Sequence, residues 1–312
     1  MVDSKKRSVY GKQLHRLKTL RTLGVVFFVI LAAGASVFVT MRFRSGASNE
    51  KRELLSSWNT GDYEQVYDIS KNALSNKPVD HFLLTLNGFS AYQLGISQIN
   101  SHNTLVFIDS CICSLRKALL LKESSDDGRV CYVLGKAYSY KGLEYADLTV
   151  KYLELAKSYS YDAADIPEFL GVAYAAVGDF RSSVEAFTQA FVPDRPPSDT
   201  LLLSIARSYM AMEEYSMAVS YLQRCVDMSP DSKSIFIARL LLAEVFRLLG
   251  DTDEALNLYA AILNDSGENA EVHYQLGELY SLKGDTTRAR SEWRLAYRQD
   301  PSHTKARARL NI

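Results

Sequence analysis

The sequence predicts an all-α protein: a solenoid of antiparallel helix pairs preceded by one N-terminal transmembrane helix. Three observations carry that prediction. Small and aromatic residues recur in a fixed order, with the marker residues Gly171, Ala206, Ala243 and Gly277 spaced 35, 37 and 34 apart. Gly-Asp pairs interrupt the units midway, and one stretch of twenty residues near the N-terminus holds no charge. A repeat of this length marks stacked helical units, because one helix pair cannot bury its apolar face alone.

The first element is the uncharged stretch 22–41, which includes "LGVVFFVILAAGASVFV". A helix of that length, at about 1.5 Å per residue, spans the roughly 30 Å hydrocarbon core of a bilayer. Residues 1–22 form a basic tail with Lys5, Lys6, Arg7, Lys12, Arg16, Lys18 and Arg21. The predicted span is residues 23–41, and the basic excess before it keeps the tail in the cytoplasm and sets the body on the far side. Ala33-Gly34-Ala35 also fits the cleavage pattern of a secretory signal. The apolar run that continues through "SVFVTM" and the length of the basic region favour an uncleaved anchor. Overall charge is zero but unevenly shared: residues 1–44 hold nine Lys/Arg and one acid, residues 45–312 hold 27 and 35.

Residues 42–56 read as a linker running into a degenerate first repeat. Residues 47–127 hold two degenerate repeats, one marked by Gly61-Asp62, Ala73 and Pro78, the other by Asn87-Gly88, Gly95 and Ala118. An insertion near 96–107 separates the helices of the second, whose second helix is predicted over 108–121. Five clearer repeats occupy 128–303. In order they carry Leu134-Gly135 and Tyr138; Leu170-Gly171, Tyr174 and Phe187; Ile205-Ala206, Tyr209 and Leu222; Leu242-Ala243, Phe246 and Tyr259; Leu276-Gly277, Tyr280 and Trp293. The third repeat has about two extra residues in its turn, after Gly142. Residues 304–312, within "SHTKARARLNI", form a capping helix with Lys305, Arg307 and Arg309 outward and Ala306 and Leu310 inward.

Each marked position has a physical reason. Glycine in the first helix lets the second approach closely, offsetting its helix cost of about 1 kcal/mol. Gly61, Gly178, Gly250 and Gly284 suit the left-handed residue that ends a helix. The aspartates that follow, Asp62, Asp179, Asp251 and Asp285, suit the N-cap of the next one, and Asp251 with Glu254 has capping-box spacing. Pro230 and Pro301 stop the second helices.

In this order and at this period the residues resemble the tetratricopeptide repeat family, whose pattern runs Trp, Leu-Gly, Tyr, Ala, an aromatic, Ala and Pro. Residues 270–303 keep Leu276, Gly277, Tyr280, Ala289, Trp293, Ala296 and Pro301, with His273 in place of the first Trp. The resemblance implies a superhelical solenoid whose groove is lined by the first helix of each repeat. Carried onto this chain, the partner-binding groove is Arg129, Tyr132, Lys136, Ser139 and Tyr140, then Glu168, Arg207 and Met210, then Glu244 and Arg247, then Glu271, Tyr274 and Glu278. It is basic and aromatic toward the N-terminal side and acidic toward the C-terminal side, a polarity able to orient a protein or peptide segment. The Lys/Asn clamp with which some members hold chaperone tails is not met, since Lys136 stands where Asn is needed.

No catalytic constellation emerges. The five histidines form no HExxH or close metal pair, and no G-x-S-x-G elbow is present. Gly128 and Gly135-Lys136 have six residues between the glycines and Ala137 where a phosphate loop needs Ser/Thr. Four cysteines are no disulfide framework; Cys111 and Cys225 occupy small-residue positions, and a bridge between Cys113 and Cys131 stays open in an oxidising compartment. The acidic body argues against nucleic acid, and no cofactor is expected. "AAGAS" gathers small residues that leave self-association through the anchor open, without a GxxxG register.

The expected function is that of a membrane-anchored, non-enzymatic scaffold. It is similar to bacterial inner-membrane proteins with a periplasmic solenoid that serve envelope assembly, secretion or maturation of exported proteins. The alternatives are an organelle-surface import receptor with a cytosolic solenoid, which the flanking charges oppose, and an accessory subunit of a membrane-bound enzyme complex.

Overall fold

The computed structural model describes residues 49–97, 101–121, 127–192 and 196–312. The basic tail and the predicted span lie outside those residues. Among the described ones, no helix is long and apolar enough to cross a membrane. Those residues form fifteen α-helices and one short 3-10 turn, with no strand.

The helices divide into two compact units at Gly142. The first contains α1 (Asn49–Thr60), α2 (Tyr63–Asn76), α3 (His81–Ser97), α4 (Ser101–Leu120) and α5 (Asp127–Lys141). Each packs on the next, and α5 also touches α3. Helix α1 takes in residues 49–56, part of the stretch read as linker, because Leu54 and Trp58 are buried on one side of it. Helix α4 begins at Ser101, so the described part of the insertion is helix. Gly95 explains this: a Cβ there would meet Ile108 at 3.1 Å and Phe107 at 3.4 Å, and its absence lets the extended α4 lie against α3. Asn87, fully inside this unit, donates to the Tyr67 carbonyl and the Ser70 hydroxyl on α2 and accepts from Ser114 on α4 at 2.8 Å. A buried amide satisfied from both neighbours fixes their register.

The second unit opens with a 3-10 turn, Leu143–Tyr145, followed by α6 (Ala146–Ser158), α7 (Ile166–Ala176), α8 (Phe180–Gln189), α9 (Asp199–Ala211) and α10 (Tyr215–Met228). It continues with α11 (Ser232–Leu249), α12 (Thr252–Ser266), α13 (Ala270–Leu282), α14 (Thr286–Gln299) and α15 (Thr304–Leu310). The boundary therefore separates the two helices of the predicted third repeat. Gly142, at φ 130°, ψ 172°, is not the left-handed turn residue of the other repeats, and the extra residues after it form the 3-10 turn.

Elsewhere the unit has the predicted helix–turn–helix form. Gly178 and Gly284, at φ 85° and 79°, end α7 and α13. Asp179 and Asp285 then accept from the N–H of Ser182 at 3.1 Å and Arg288 at 2.9 Å. Asp251 departs from the expectation: it makes no capping hydrogen bond, and the Thr252 hydroxyl instead bonds back to the Gly250 carbonyl at 3.3 Å. The cores lie across helix boundaries. Val184 and Phe187 of α8 pack on Leu201 and Ile205 of α9. Ala206, Leu222 and Leu242 join α9, α10 and α11, and Ala243, Tyr259 and Leu276 join α11, α12 and α13. Ala306 of α15, fully buried, closes the last core against Tyr274, Ala289 and Trp293.

Candidate protein-binding face

In the second unit the first helices α7, α9 and α11 touch in succession and form one face. Glu168 on α7 and Arg207 on α9 are exposed on it, and Met210 is half-buried beside them. Neither Glu168 nor Arg207 makes an ion pair among the described residues. On α11, Arg247 donates to Glu244 through Nε at 2.8 Å and Nη2 at 2.6 Å. Those bonds raise the Arg247 pKa against the opposing effect of burial, with Glu278 adding to the charge around it. A half-exposed pair of this kind contributes about 0.2–1 kcal/mol, so a partner's charges can compete for it.

Val172 belongs to this face and was not among the residues read from the sequence. It follows the marker Gly171 as Lys136, Arg207, Glu244 and Glu278 follow theirs, and it is 48% exposed. Repeat position was the available signal for it.

The remaining predicted residues are placed differently. Tyr132 and Lys136 are buried, at 1% and 8% exposure, because α5 is covered by both α3 and α4. Lys136 Nζ donates to the Tyr132 hydroxyl at 3.1 Å and lies 5.2 Å from its ring centre, so the two belong to the first unit's interior. Arg129 and Ser139 are half-buried. Tyr140 stays 44% exposed, with its ring edge-on to Tyr92 at 6.2 Å. These residues lie in the first unit, the rest of the predicted groove in the second.

At the far end, the expected acidic surface of α13 is matched by cations from α15. His303 accepts the Ala306 N–H at Nδ1, which leaves Nε2 as the protonated donor to Glu271 at 3.1 Å. The His303 ring lies 5.1 Å from that of Tyr274, and Lys305 sits 5.9 Å from the same ring. Arg309 makes two hydrogen bonds to Glu278, the one from Nε at 2.8 Å, and its guanidinium lies 5.5 Å from the Trp293 ring. Burial and the Glu278 charge push the Tyr274 phenol above its ordinary pKa. Lys305 and Arg309 thus turn back onto α13 and α14 instead of standing away from the stack.

Among the described residues, no three His, Cys, Asp or Glu gather as a metal site would require. What the face offers is a row of helix surfaces carrying one exposed cation, one exposed anion, an exposed valine and a re-pairable ion pair. That inventory suits reversible docking of a polypeptide.

Residues 178–312 match the family model of the tetratricopeptide repeat-like domain. Over 117 residues the chain is 27% identical to the anaphase-promoting complex subunit CDC16 of Saccharomyces cerevisiae, covering 36% of this chain and 14% of that protein. The matched stretch is thus a small part of the relative. Among solved structures, the C-terminal part of a tetratricopeptide repeat-containing protein from Cytophaga hutchinsonii aligns with a TM-score of 0.57 at 16% identity, over 84% of this chain and 99% of that one. The structure of Naa15/Naa10 bound to HypK aligns with a TM-score of 0.52 at 15% identity, over 84% of this chain and 38% of that one. At such identities the likeness is one of fold. Helix pairs, marker residues and family model agree on a tetratricopeptide repeat-like domain over residues 178–312.

Proposed function

We propose that this chain is a non-catalytic scaffold that docks polypeptide segments of other proteins on the α7–α9–α11 face. The observation that carries the reading is Arg207: an exposed guanidinium with no ion-pair partner among the described residues, between an exposed valine and a paired Glu244–Arg247 on touching helices. An acidic residue of the partner meets Arg207, and an apolar one covers Val172. The subunit role named for CDC16 supports the same class of activity. The uncharged stretch 22–41 and its basic flank support an anchor in a cytoplasmic membrane, with the repeats on the extracytoplasmic side, where they would hold exported proteins during assembly, secretion or maturation.

The test places a photo-crosslinking amino acid at Val172 in the full chain, in living cells, with and without Arg207→Glu. A discrete adduct with an exported or membrane protein, lost with Arg207→Glu while helix content is unchanged, is the expected result. An adduct of equal yield in both overturns the face; adducts with cytosolic proteins alone overturn the side of the membrane.

A further inference from the structure

Helix α15 spans only seven residues. Isolated helices of that length do not form in water, so its conformation is supplied by what it rests on. Its fully buried residue is Ala306, while Leu310 is half-buried and Lys305, Arg307 and Arg309 are exposed. Most of its specific contacts are electrostatic: His303 with Glu271, Lys305 over Tyr274, and Arg309 with Glu278 and the Trp293 ring. Lys305 and Arg309 are four residues apart on one side of the helix, with Ala306 between them fitting against α13 and α14. A terminal cap needs a polar outer face, but polar side chains of α15 and its N-cap His303 also reach the acidic and aromatic residues of α13 and α14. This one is a small cationic helix seated in an acidic, aromatic cradle, and the cradle lies on α13, at the position of the next first helix after α11.

We infer that the Glu271–Tyr274–Glu278 surface of α13, with Trp293 of α14, is a receptor for a short cationic helix. The chain's own α15 is its resident and displaceable occupant. The partner it fits is a polypeptide segment with two basic residues four apart flanking a small one, which takes the place of Lys305 over Tyr274 and the bonds of Arg309 to Glu278 when α15 leaves. The inference extends the protein-binding reading above to the α13 end of the repeats, and it assigns that end a ligand charge opposite to the one Arg207 selects.

The experiment uses the full chain and a fluorescently labelled peptide of residues 302–312 as the probe. Lys305→Glu with Arg309→Glu removes the contact of Lys305 with Tyr274 and those of Arg309 with Glu278 and Trp293, while the cradle residues keep their identities. This variant is expected to bind the peptide about tenfold more tightly than the unaltered chain, the equivalent of about 1.4 kcal/mol of relieved competition. Adding Glu278→Arg abolishes that binding. In the unaltered chain, α15 amides exchange hydrogen much faster than those of α13 and α14.

Equal affinity in the two chains, or no saturable binding by the variant while α13 and α14 keep their exchange protection, overturns the inference. Protection of α15 equal to that of α14 does so as well. A concentration-dependent dimer of the unaltered chain, abolished by Arg309→Glu, would assign the cradle to exchange of α15 between copies and overturn the partner reading. The two readings fail separately: loss of the Val172 adduct leaves peptide binding at Glu278 to be measured, and peptide failure leaves the Val172 adduct intact.

Discussion

The indole of Trp293 fills the space where a side chain on Gly277 would have to stand. A Cβ at Gly277 would fall inside the van der Waals envelope of the ring and lie 3.1 Å from the Ala289 carbonyl. Helix α14 therefore approaches α13 as closely as it does because residue 277 has no side chain. Gly277→Ala gains about 1 kcal/mol of helix propensity and loses about 1–3 kcal/mol to overpacking, for a net loss of up to about 2 kcal/mol. Denaturant unfolding with an unchanged m-value would verify this; an alanine variant more stable than the parent would show that the ring gives way.

Glu213 is a backbone counterpart of that argument. It holds φ 62° at the turn between α9 and α10, where other repeats place Gly178, Gly250 and Gly284 at φ between 79° and 85°. The left-handed conformation costs a residue with a Cβ about 1–2 kcal/mol, part of which glycine returns through its larger unfolded-state freedom. Glu213→Gly is expected to raise stability by about 0.5–1 kcal/mol. A melting temperature at or below that of the parent would mean that the exposed carboxylate contributes more than the backbone strain costs.

The Asp179 cap gives a pH dependence whose direction is fixed. The Ser182 hydroxyl and N–H, and then the Arg181 charge, hold the carboxyl below its ordinary pKa. A carboxyl depressed on folding contributes stability above its unfolded pKa, about 3.9, and loses it as pH falls through the folded value. Asp179→Ala should cost about 1 kcal/mol at neutral pH, as N-cap losses do. The gap between parent and variant should close as pH drops below about 3.9. A gap that stays constant into strong acid would trace the loss to something other than the charged cap.

The same residues show what could be read without coordinates. Gly284-Asp285 and Gly178-Asp179 announce their turns because a left-handed residue followed by a capping carboxylate is a local requirement, met within a few residues. Asp251 has the same neighbours, a threonine one residue on included, yet it makes no capping hydrogen bond, which the sequence of the turn does not distinguish from Asp285. Residues 101–107 lack a repeat signature, and their helix comes from the approach that Gly95 permits, a tertiary cause. Repeat phase places Glu168 and Arg207 on first helices, and both are exposed. Phase alone does not tell that α3 and α4 cover Tyr132 and Lys136, or that α15 folds back over Glu271, Tyr274 and Glu278. Burial by a neighbour is set by chain path, which repeat phase does not encode.

The cysteines turn burial into a countable signal. Cys111, Cys131 and Cys225 are fully buried, whereas Cys113 is exposed on α4, and none is bridged. Burial pushes the Cys111 thiol well above its ordinary pKa. Burial and the Asp127 charge take Cys131 to about 12, and burial with Asp199 takes Cys225 to about 11. Alkylation proceeds through the thiolate, so inaccessible thiols that also resist ionisation are doubly protected. At pH 8, iodoacetamide should add rapidly to one thiol of the native chain and to all four in denaturant, read as mass increments with peptide mapping to Cys113. Fast modification of Cys225 in the native state would place the α10–α11 contact in frequent local opening, because that thiol sits in the core shared by Ala218, Leu222 and Ala238. Cys113→Ser should abolish the fast step and leave the slow ones unchanged, which separates exposure from unfolding within one experiment.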